Sequence, residues 1–241
     1  MEHSSSDRFL PISILVAAVI VGGTVVFSTL HKSTGQADAG SGVVTAPSPA
    51  VIAAQASKIG PHDAILGDPK SPITYADYGD YQCPFCGRYF SETESAVISQ
   101  YVNTGKVKMV FRDFAFLGPE SLAAANAAQC ANDQGKLWPY HDELYTAKGT
   151  DFAKGGGEND GFFTRALFLG FAKKLNLDMP KFTNCVDQNQ DAGIVAQEKA
   201  DATSLGVNAT PTFYIDGTQV QGAEPFSVIQ AAIEKVIASH I

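Results

Sequence analysis

The stretch YGDYQCPFCGRYF, residues Tyr78–Phe90, places two cysteines one helical turn apart behind a β-prone segment. SPITYADYGDY (Ser71–Tyr81) predicts a strand that runs into the cysteine motif. Apolar and aromatic residues then recur at helical intervals until Asn103-Thr104-Gly105, which predicts the helix end. KVKMVFRDFAF (Lys106–Phe116) predicts a second strand. Strand, helix and strand in this order predict a βαβ unit with the cysteines at its first turn.

The rest of the chain predicts helices and then a return to strands. ESLAAANAAQCANDQG (Glu120–Gly135) opens a helix-rich stretch that runs to Gly206. After it, TPTFYIDG predicts a strand with an Asp-Gly turn, TQVQGA its hairpin partner, and EPFSVIQAAIEKVIASHI a closing helix. The sequence therefore predicts an α/β core over residues 58–241, interrupted by a helical insertion at about residues 117–205.

Composition excludes one large class of function. The chain has 241 residues, 45% of them hydrophobic, which allows one or two domains with a substantial core. Its formal net charge is −8, and its isoelectric point is near 5.0. A nucleic-acid-binding protein usually carries a basic face, so we expect no nucleic-acid partner.

The N-terminal segment predicts a membrane anchor. Phe9–Leu30 carries no charge and is long enough to cross a hydrocarbon core, so residues 1–32 are predicted to be a cytoplasmic tail and a transmembrane helix. A cleaved signal peptide is the alternative, with Ala37–Ala39 as the cleavage site, although its apolar run is usually shorter. Residues 33–57 are rich in Gly, Ala, Ser and Pro and predict a flexible linker.

The cysteine pair predicts redox chemistry. If a helix begins near Cys83, unpaired N–H groups and the positive end of the helix dipole stabilise the Cys83 thiolate. Pro84 suits the first helical position, which needs no N–H donor. Cys86 follows one turn later and can form a disulfide with Cys83. A stabilised thiolate is a good leaving group, so such a disulfide accepts electrons from substrate thiols.

The pair has two alternative uses, as a zinc half-site or as a structural bridge. Structural zinc sites combine two pairs of ligands at matched spacing. Cys130 and Cys185 are single and far apart, and the histidines His62, His141 and His240 form no paired motif. The sequence therefore favours redox chemistry over metal binding at the cysteine pair.

The motifs together resemble a known superfamily. CPFC after YADYGDYQ, combined with GVNATPTFYIDG far downstream, is similar to the thioredoxin superfamily. The helical insertion, with AAQCANDQGKLWPYHDELY, resembles membrane-anchored members of the DsbA-like branch, which are thiol:disulfide oxidoreductases of bacterial cell envelopes. The resemblance covers roughly Ala64–Ser239 and implies a thioredoxin-like α/β fold with a helical insertion.

The resemblance assigns roles to four residues around the motif. It implies that Cys83 is the exposed nucleophile and Cys86 the buried resolving thiol. It implies that Pro211, preceded by Thr210, is a cis-proline beside the disulfide, where it leaves the neighbouring backbone free to pair with a substrate peptide. An ordinary trans-proline at the start of an edge strand is the alternative.

Further residues receive roles from the same resemblance. Asp77, six positions before Cys83, matches a buried acid that carries the proton for the resolving cysteine. The alternative is a solvated acid at a strand end, which is the expectation for Asp80. Some members of the branch bridge the positions of Cys130 and Cys185 by a disulfide, whereas the alternative is two free buried cysteines. The neighbouring aromatics are expected to pack rather than to catalyse, and His141 is expected to be a core residue with satisfied hydrogen bonds rather than a proton shuttle.

The resemblance implies a membrane-tethered thiol oxidase without a bound cofactor or metal. A reduced exported protein would form a mixed disulfide at Cys83, and a quinone-linked membrane partner of the DsbB or VKOR type would reoxidise the motif. The catalytic domain would face the periplasmic side of a bacterial cell membrane. No dimerisation domain is visible in the sequence, which favours a monomer. A reductase or isomerase of the same fold, or a non-catalytic peptide-binding module, remains the alternative.

Overall fold

The structure is a computed structural model, and it describes residues 48–240. The predicted anchor Phe9–Leu30 and the first part of the predicted linker lie outside these residues. Within residues 48–240, no helix combines the length and apolar character that crossing a membrane requires.

The linker prediction is wrong for its C-terminal part, because Pro49–Ala56 form a helix, α1. Pro49 occupies the first turn, and the Ser48 hydroxyl accepts the backbone N–H of Val51 at 3.4 Å. Ala56 is fully buried and packs in a cluster on one face of the sheet. A composition rich in Gly, Ala, Ser and Pro predicts flexibility, but burial against the sheet stabilises this segment as a helix.

A four-stranded sheet forms the centre of the described domain. Its strands are β1 (Ile73–Gly79), β2 (Val107–Asp113), β3 (Thr212–Ile215) and β4 (Thr218–Gln221), in the spatial order β2-β1-β3-β4. β1 pairs with β2 in parallel and with β3 antiparallel, while β3 and β4 form an antiparallel hairpin. The predicted βαβ unit and C-terminal hairpin are thus confirmed.

The hairpin turn follows from its two residues. Asp216 has φ of 45° and Gly217 φ of 86°, the left-handed backbone that two-residue hairpin turns require. Aspartate tolerates this conformation and glycine adopts it without steric cost.

The helix after the cysteines is irregular along its length. α2 (Pro84–Tyr89) continues into a π-helical turn at Phe90–Glu94, a short α3 (Ser95–Val97) and a second π-helical turn at Ile98–Val102. The other helices, in chain order, are α4 (Pro119–Asn132), α5 (Leu137–Ala153), α6 (Arg165–Lys174), α7 (Met179–Asp187), α8 (Ala192–Ser204) and α9 (Phe226–Ser239). Helices α4–α8 lie between β2 and β3 in the chain, which confirms the predicted helical insertion.

The sheet is buried on both faces. Alternate residues of β1 point to opposite sides, so Tyr75 packs with α9 residues such as Ile229, whereas Tyr78 packs with α8 residues such as Ala202. A further cluster fills the insertion and reaches the motif cysteines. The cysteine motif therefore lies where the insertion core meets the edge of the sheet domain.

Candidate active site

Cys83 lies at the N-cap of α2, as the sequence predicts. Its backbone is extended, with φ of −75° and ψ of 119°, and Pro84 takes the first helical position. The Gly87 N–H donates to Cys83 O at 3.0 Å, which closes the first helical turn. The Cys83 N–H donates to Asp80 O at 2.9 Å and joins the motif to the end of β1.

The Cys83 thiol is free, and its surroundings favour the thiolate. The pKa of Cys83 is lowered to about 6, mainly because the Cys86 thiol hydrogen-bonds to it. Burial opposes this change, while the Thr210 side chain and the N–H groups of Cys86 and Phe85 support it. Contrary to the expected exposed nucleophile, Cys83 is only 5% exposed, because Thr210 and the insertion cover it. The thiol lies 3.4 Å from Thr210 O, to which it donates when protonated.

Cys86 is chemically different from its partner. It is buried, and its pKa is raised well above the usual 9.0, first by burial and then by its interactions with Cys83. The charge of Asp77 raises it further. At neutral pH the reduced pair therefore consists of a Cys83 thiolate and a Cys86 thiol.

Asp77 lies on β1 and is 3% exposed, so the solvated alternative is wrong. Its Oδ1 has no hydrogen-bond partner among residues 48–240. Burial raises the pKa of Asp77 well above 3.8, and the charge of Cys83 raises it further. This raised pKa favours the protonated carboxyl, which can donate a proton to a nearby thiolate, although this role stays a prediction.

Thr210 and Pro211 lie across from the motif at the start of β3. The peptide bond between them is cis, as the resemblance implied. Thr212 pairs with Tyr78 of β1, which fixes the position of the preceding residues beside Cys83. The Thr210 Oγ1 atom is buried without a hydrogen-bond partner in the described part of the chain. This hydroxyl is therefore available to a sulfur anion.

The expectation that Asp80 is solvated is wrong, since it is 1% exposed. Its Oδ1 accepts the Gln82 N–H at 2.8 Å and the Ser121 hydroxyl at 2.6 Å. Its Oδ2 accepts the N–H groups of Phe116 and Leu117 at 2.9 and 3.1 Å. Asp80 thus ties the motif loop to the connection between β2 and α4.

Gln82, directly before the nucleophile, was missed by the sequence analysis. Its side chain is fully buried and donates to Ser121 Oγ at 2.9 Å and to Asn159 Oδ1 at 3.2 Å. Its Oε1 accepts the Asn159 N–H at 2.6 Å. Asn159 lies 77 positions away in the glycine-rich loop of the insertion, so no local pattern could have found this contact.

A disulfide joins Cys130 on α4 to Cys185 on α7, as the resemblance implied. Both cysteines are buried in the cluster that also contains Cys83 and Cys86. This bridge fixes two insertion helices that lie behind the motif.

Two further buried polar residues lie near the motif helix. His141 is wholly buried and packs edge-on against Phe111 and Tyr145, so its expected place in the core is confirmed. Its Nε2 atom, however, has no hydrogen-bond partner within residues 48–240, so the expectation that its polar atoms are satisfied is wrong. Glu94 is 3% exposed and was not singled out by the sequence analysis. A signal existed, because Glu94 follows Phe90 by four positions and therefore shares its buried helical stripe.

Comparisons with known proteins assign the chain to a family. The family model described as thioredoxin matches residues 60–235. The chain belongs to this family. The crystal structure of Wolbachia pipientis alpha-DsbA1 superposes with a TM-score of 0.65 at 22% identity, covering 75% of this chain and 94% of that one.

Two relatives by sequence are matched over very different shares of their length. A sodium/proton antiporter, NhaA 1 of Salinispora arenicola, is 29% identical over 178 residues, which are 73% of this chain and 25% of the antiporter. The chain thus spans about a quarter of that relative. A probable disulfide bond formation protein D of Bacillus anthracis is 25% identical over 240 residues, covering 98% of both chains.

Proposed function

We propose that this chain is a thiol:disulfide oxidoreductase that oxidises reduced exported proteins. The observation that carries the proposal is the asymmetry of the cysteine pair. The pKa of Cys83 is lowered to about 6, whereas that of Cys86 is raised. The full-length similarity to a probable disulfide bond formation protein supports the same assignment.

The proposed reaction begins with the Cys83–Cys86 disulfide. A substrate thiolate attacks Cys83 Sγ, the Cys83–Cys86 bond breaks, and a mixed disulfide forms between substrate and Cys83. Cys86 leaves as a thiolate and takes a proton from Asp77. A second substrate thiolate then attacks the substrate sulfur of the mixed disulfide, and Cys83 leaves as a thiolate. Two electrons pass from the substrate dithiol to the motif.

The lowered pKa of Cys83 favours this direction because it stabilises the reduced enzyme. With a pKa of about 6 in place of 9.0, the reduced form gains about 1.4 kcal/mol at pH 7. That free energy corresponds to about 30 mV in the reduction potential of a two-electron couple. The same stabilisation makes Cys83 a good leaving group from the mixed disulfide.

The surface beside the motif supports a peptide substrate. Phe85 is 54% exposed, and Phe116 and Leu122 are also exposed. Phe116 follows β2, and Leu122 neighbours Ser121, which bonds to Asp80 under the motif loop. Exposed apolar side chains in one neighbourhood are typical of binding surfaces. We propose that they contact apolar side chains around the substrate cysteine.

We further propose a membrane location, a reoxidising partner and an oligomeric state for the enzyme. The protein would be anchored by Phe9–Leu30 in a bacterial cell membrane, with its catalytic domain on the extracytoplasmic side. A quinone-linked membrane protein would restore the disulfide, and the enzyme would act as a monomer. These assignments rest on the apolar N-terminal segment and on the DsbA-like resemblance.

The test is the redox equilibrium of the motif against glutathione. We expect a reduction potential above about −180 mV, between those of protein disulfide isomerase and DsbA. A potential near −270 mV, the value of thioredoxin, would instead assign a reductase. Cys83→Ser should abolish disulfide formation in a reduced test protein. If that substitution left disulfide formation unaffected, the observed oxidation would not be catalysed by Cys83, and the enzyme proposal would fail in favour of the peptide-binding module.

A further inference from the structure

A second constellation of polar side chains lies apart from the two motif thiols. Glu94 ends the π-helical turn Phe90–Glu94, and His141 and Asp142 lie next to each other on α5. One oxygen from each acid and one ring nitrogen of the histidine lie within 4.8 Å of one another. The three side chains therefore converge from the motif helix and from the insertion.

Glu94 is a buried acid with one carboxylate oxygen that is left unpartnered within residues 48–240. It is 3% exposed, and its Oε2 atom has no hydrogen-bond partner within the described chain. Buried carboxyl groups are otherwise paired, hydrogen-bonded or bound to a metal. The π-helical turn that ends at Glu94 is also a rare conformation that is frequently found at functional sites.

The partners of Glu94 have the chemistry of metal ligands. His141 Nδ1 lies 3.3 Å from Asp142 Oδ1. Donors in a tetrahedral zinc site lie about 3.3–3.5 Å apart, since the bonds are about 2.0–2.2 Å long. This pair already has that spacing, and the surrounding aromatic rings fix the imidazole. The Asp142 side chain is 59% exposed, which provides a path from solvent and room for water ligands.

We propose that Glu94, His141 and Asp142 bind a divalent transition-metal ion, with Zn²⁺ as the probe ion. One imidazole nitrogen and two carboxylate oxygens suit zinc better than calcium, which prefers oxygen ligands alone. The ion would satisfy the Glu94 carboxylate and cross-link the motif helix to α5. The site does not depend on the redox reaction, because neither motif cysteine is a ligand.

The test uses the full chain with its motif oxidised by oxidised glutathione, so that no cysteine thiol competes for metal. After removal of metal with a chelator, Zn²⁺ is titrated against a chromophoric competitor near neutral pH. We expect one tight zinc ion per chain. Glu94→Gln and Asp142→Asn should each weaken its binding at least tenfold, while Glu92→Gln should leave it unchanged.

Glu92 is a matched control because it is exposed and lies two positions from Glu94 on the same helix. Asp142 is exposed, so its substitution leaves the core intact and decides the question even if Glu94→Gln does not fold. Absence of tight zinc binding to the oxidised chain would overturn the proposal. So would binding that is equally tight in Asp142→Asn and in the unaltered chain.

Discussion

Removal of the Cys86 thiol tests the physical origin of Cys83 reactivity. The Cys86 side chain is the largest single contribution to the low pKa of Cys83. A hydrogen bond to a charged group is worth about 1.5–3 kcal/mol. Because a thiol is a weak donor, we assign about 1.4 kcal/mol to the bond from the Cys86 thiol to the Cys83 thiolate. This corresponds to one pKa unit. In Cys86→Ala, the pKa of Cys83 should therefore rise from about 6 to about 7.

The rise should stop below 9.0, because the N–H groups at positions 85 and 86 still face the sulfur. The assay is the rate of alkylation of the reduced protein by iodoacetamide as a function of pH, since only the thiolate reacts. Cys86→Ser is the matched control, because its hydroxyl can still donate to Cys83. In Cys86→Ser, we expect the pKa of Cys83 to stay within about half a unit of its value in the unaltered protein. An unchanged pKa in Cys86→Ala would refute the role of Cys86.

Three further predictions concern stability and rate. The pKa of Cys83 is depressed on folding, so its stabilising effect is complete above pH 9 and disappears as the pH falls through about 6. The unfolding free energy of the reduced form, relative to the oxidised form, should therefore fall by about 2–3 kcal/mol between pH 8 and pH 5.5 in urea titrations. Asp77→Asn should slow reduction of the motif by a dithiol substrate about 100-fold in stopped-flow measurements, because Cys86 loses its proton donor; an unchanged rate would exclude that role. Replacement of both Cys130 and Cys185 by Ala should lower the unfolding free energy by about 4 kcal/mol, since their bridge spans 55 positions; a loss below about 1 kcal/mol would show that packing alone holds α4 and α7 together.

Short-range features of the sequence were sufficient for much of the fold. Cys83-Pro84 fixes where α2 begins, because proline suits a first helical turn and the preceding residue stays extended. Asp216-Gly217 fixes the hairpin for a similar local reason. The thioredoxin-like arrangement and the bridge between Cys130 and Cys185 came from the resemblance, not from these local rules.

The burial of Asp80 and of the segment Pro49–Ala56 could not be predicted from local sequence. Asp80 was expected in solvent, yet backbone N–H groups from beyond β2 surround its carboxylate. The segment Pro49–Ala56 was expected to be flexible, yet the sheet face covers its last residue. In both cases the deciding atoms belong to residues far away in the chain.

The sequence by itself determined that a sulfur atom would stand at the start of a helix, with a second thiol one turn later. Only the tertiary structure brought Thr210 to Cys83 across 127 positions and Asn159 to Gln82 across 77. It also placed Glu94 beside His141, from two different helices. The reason is that desolvation and hydrogen bonding depend on which atoms surround a group, and those atoms are set by packing of the whole chain.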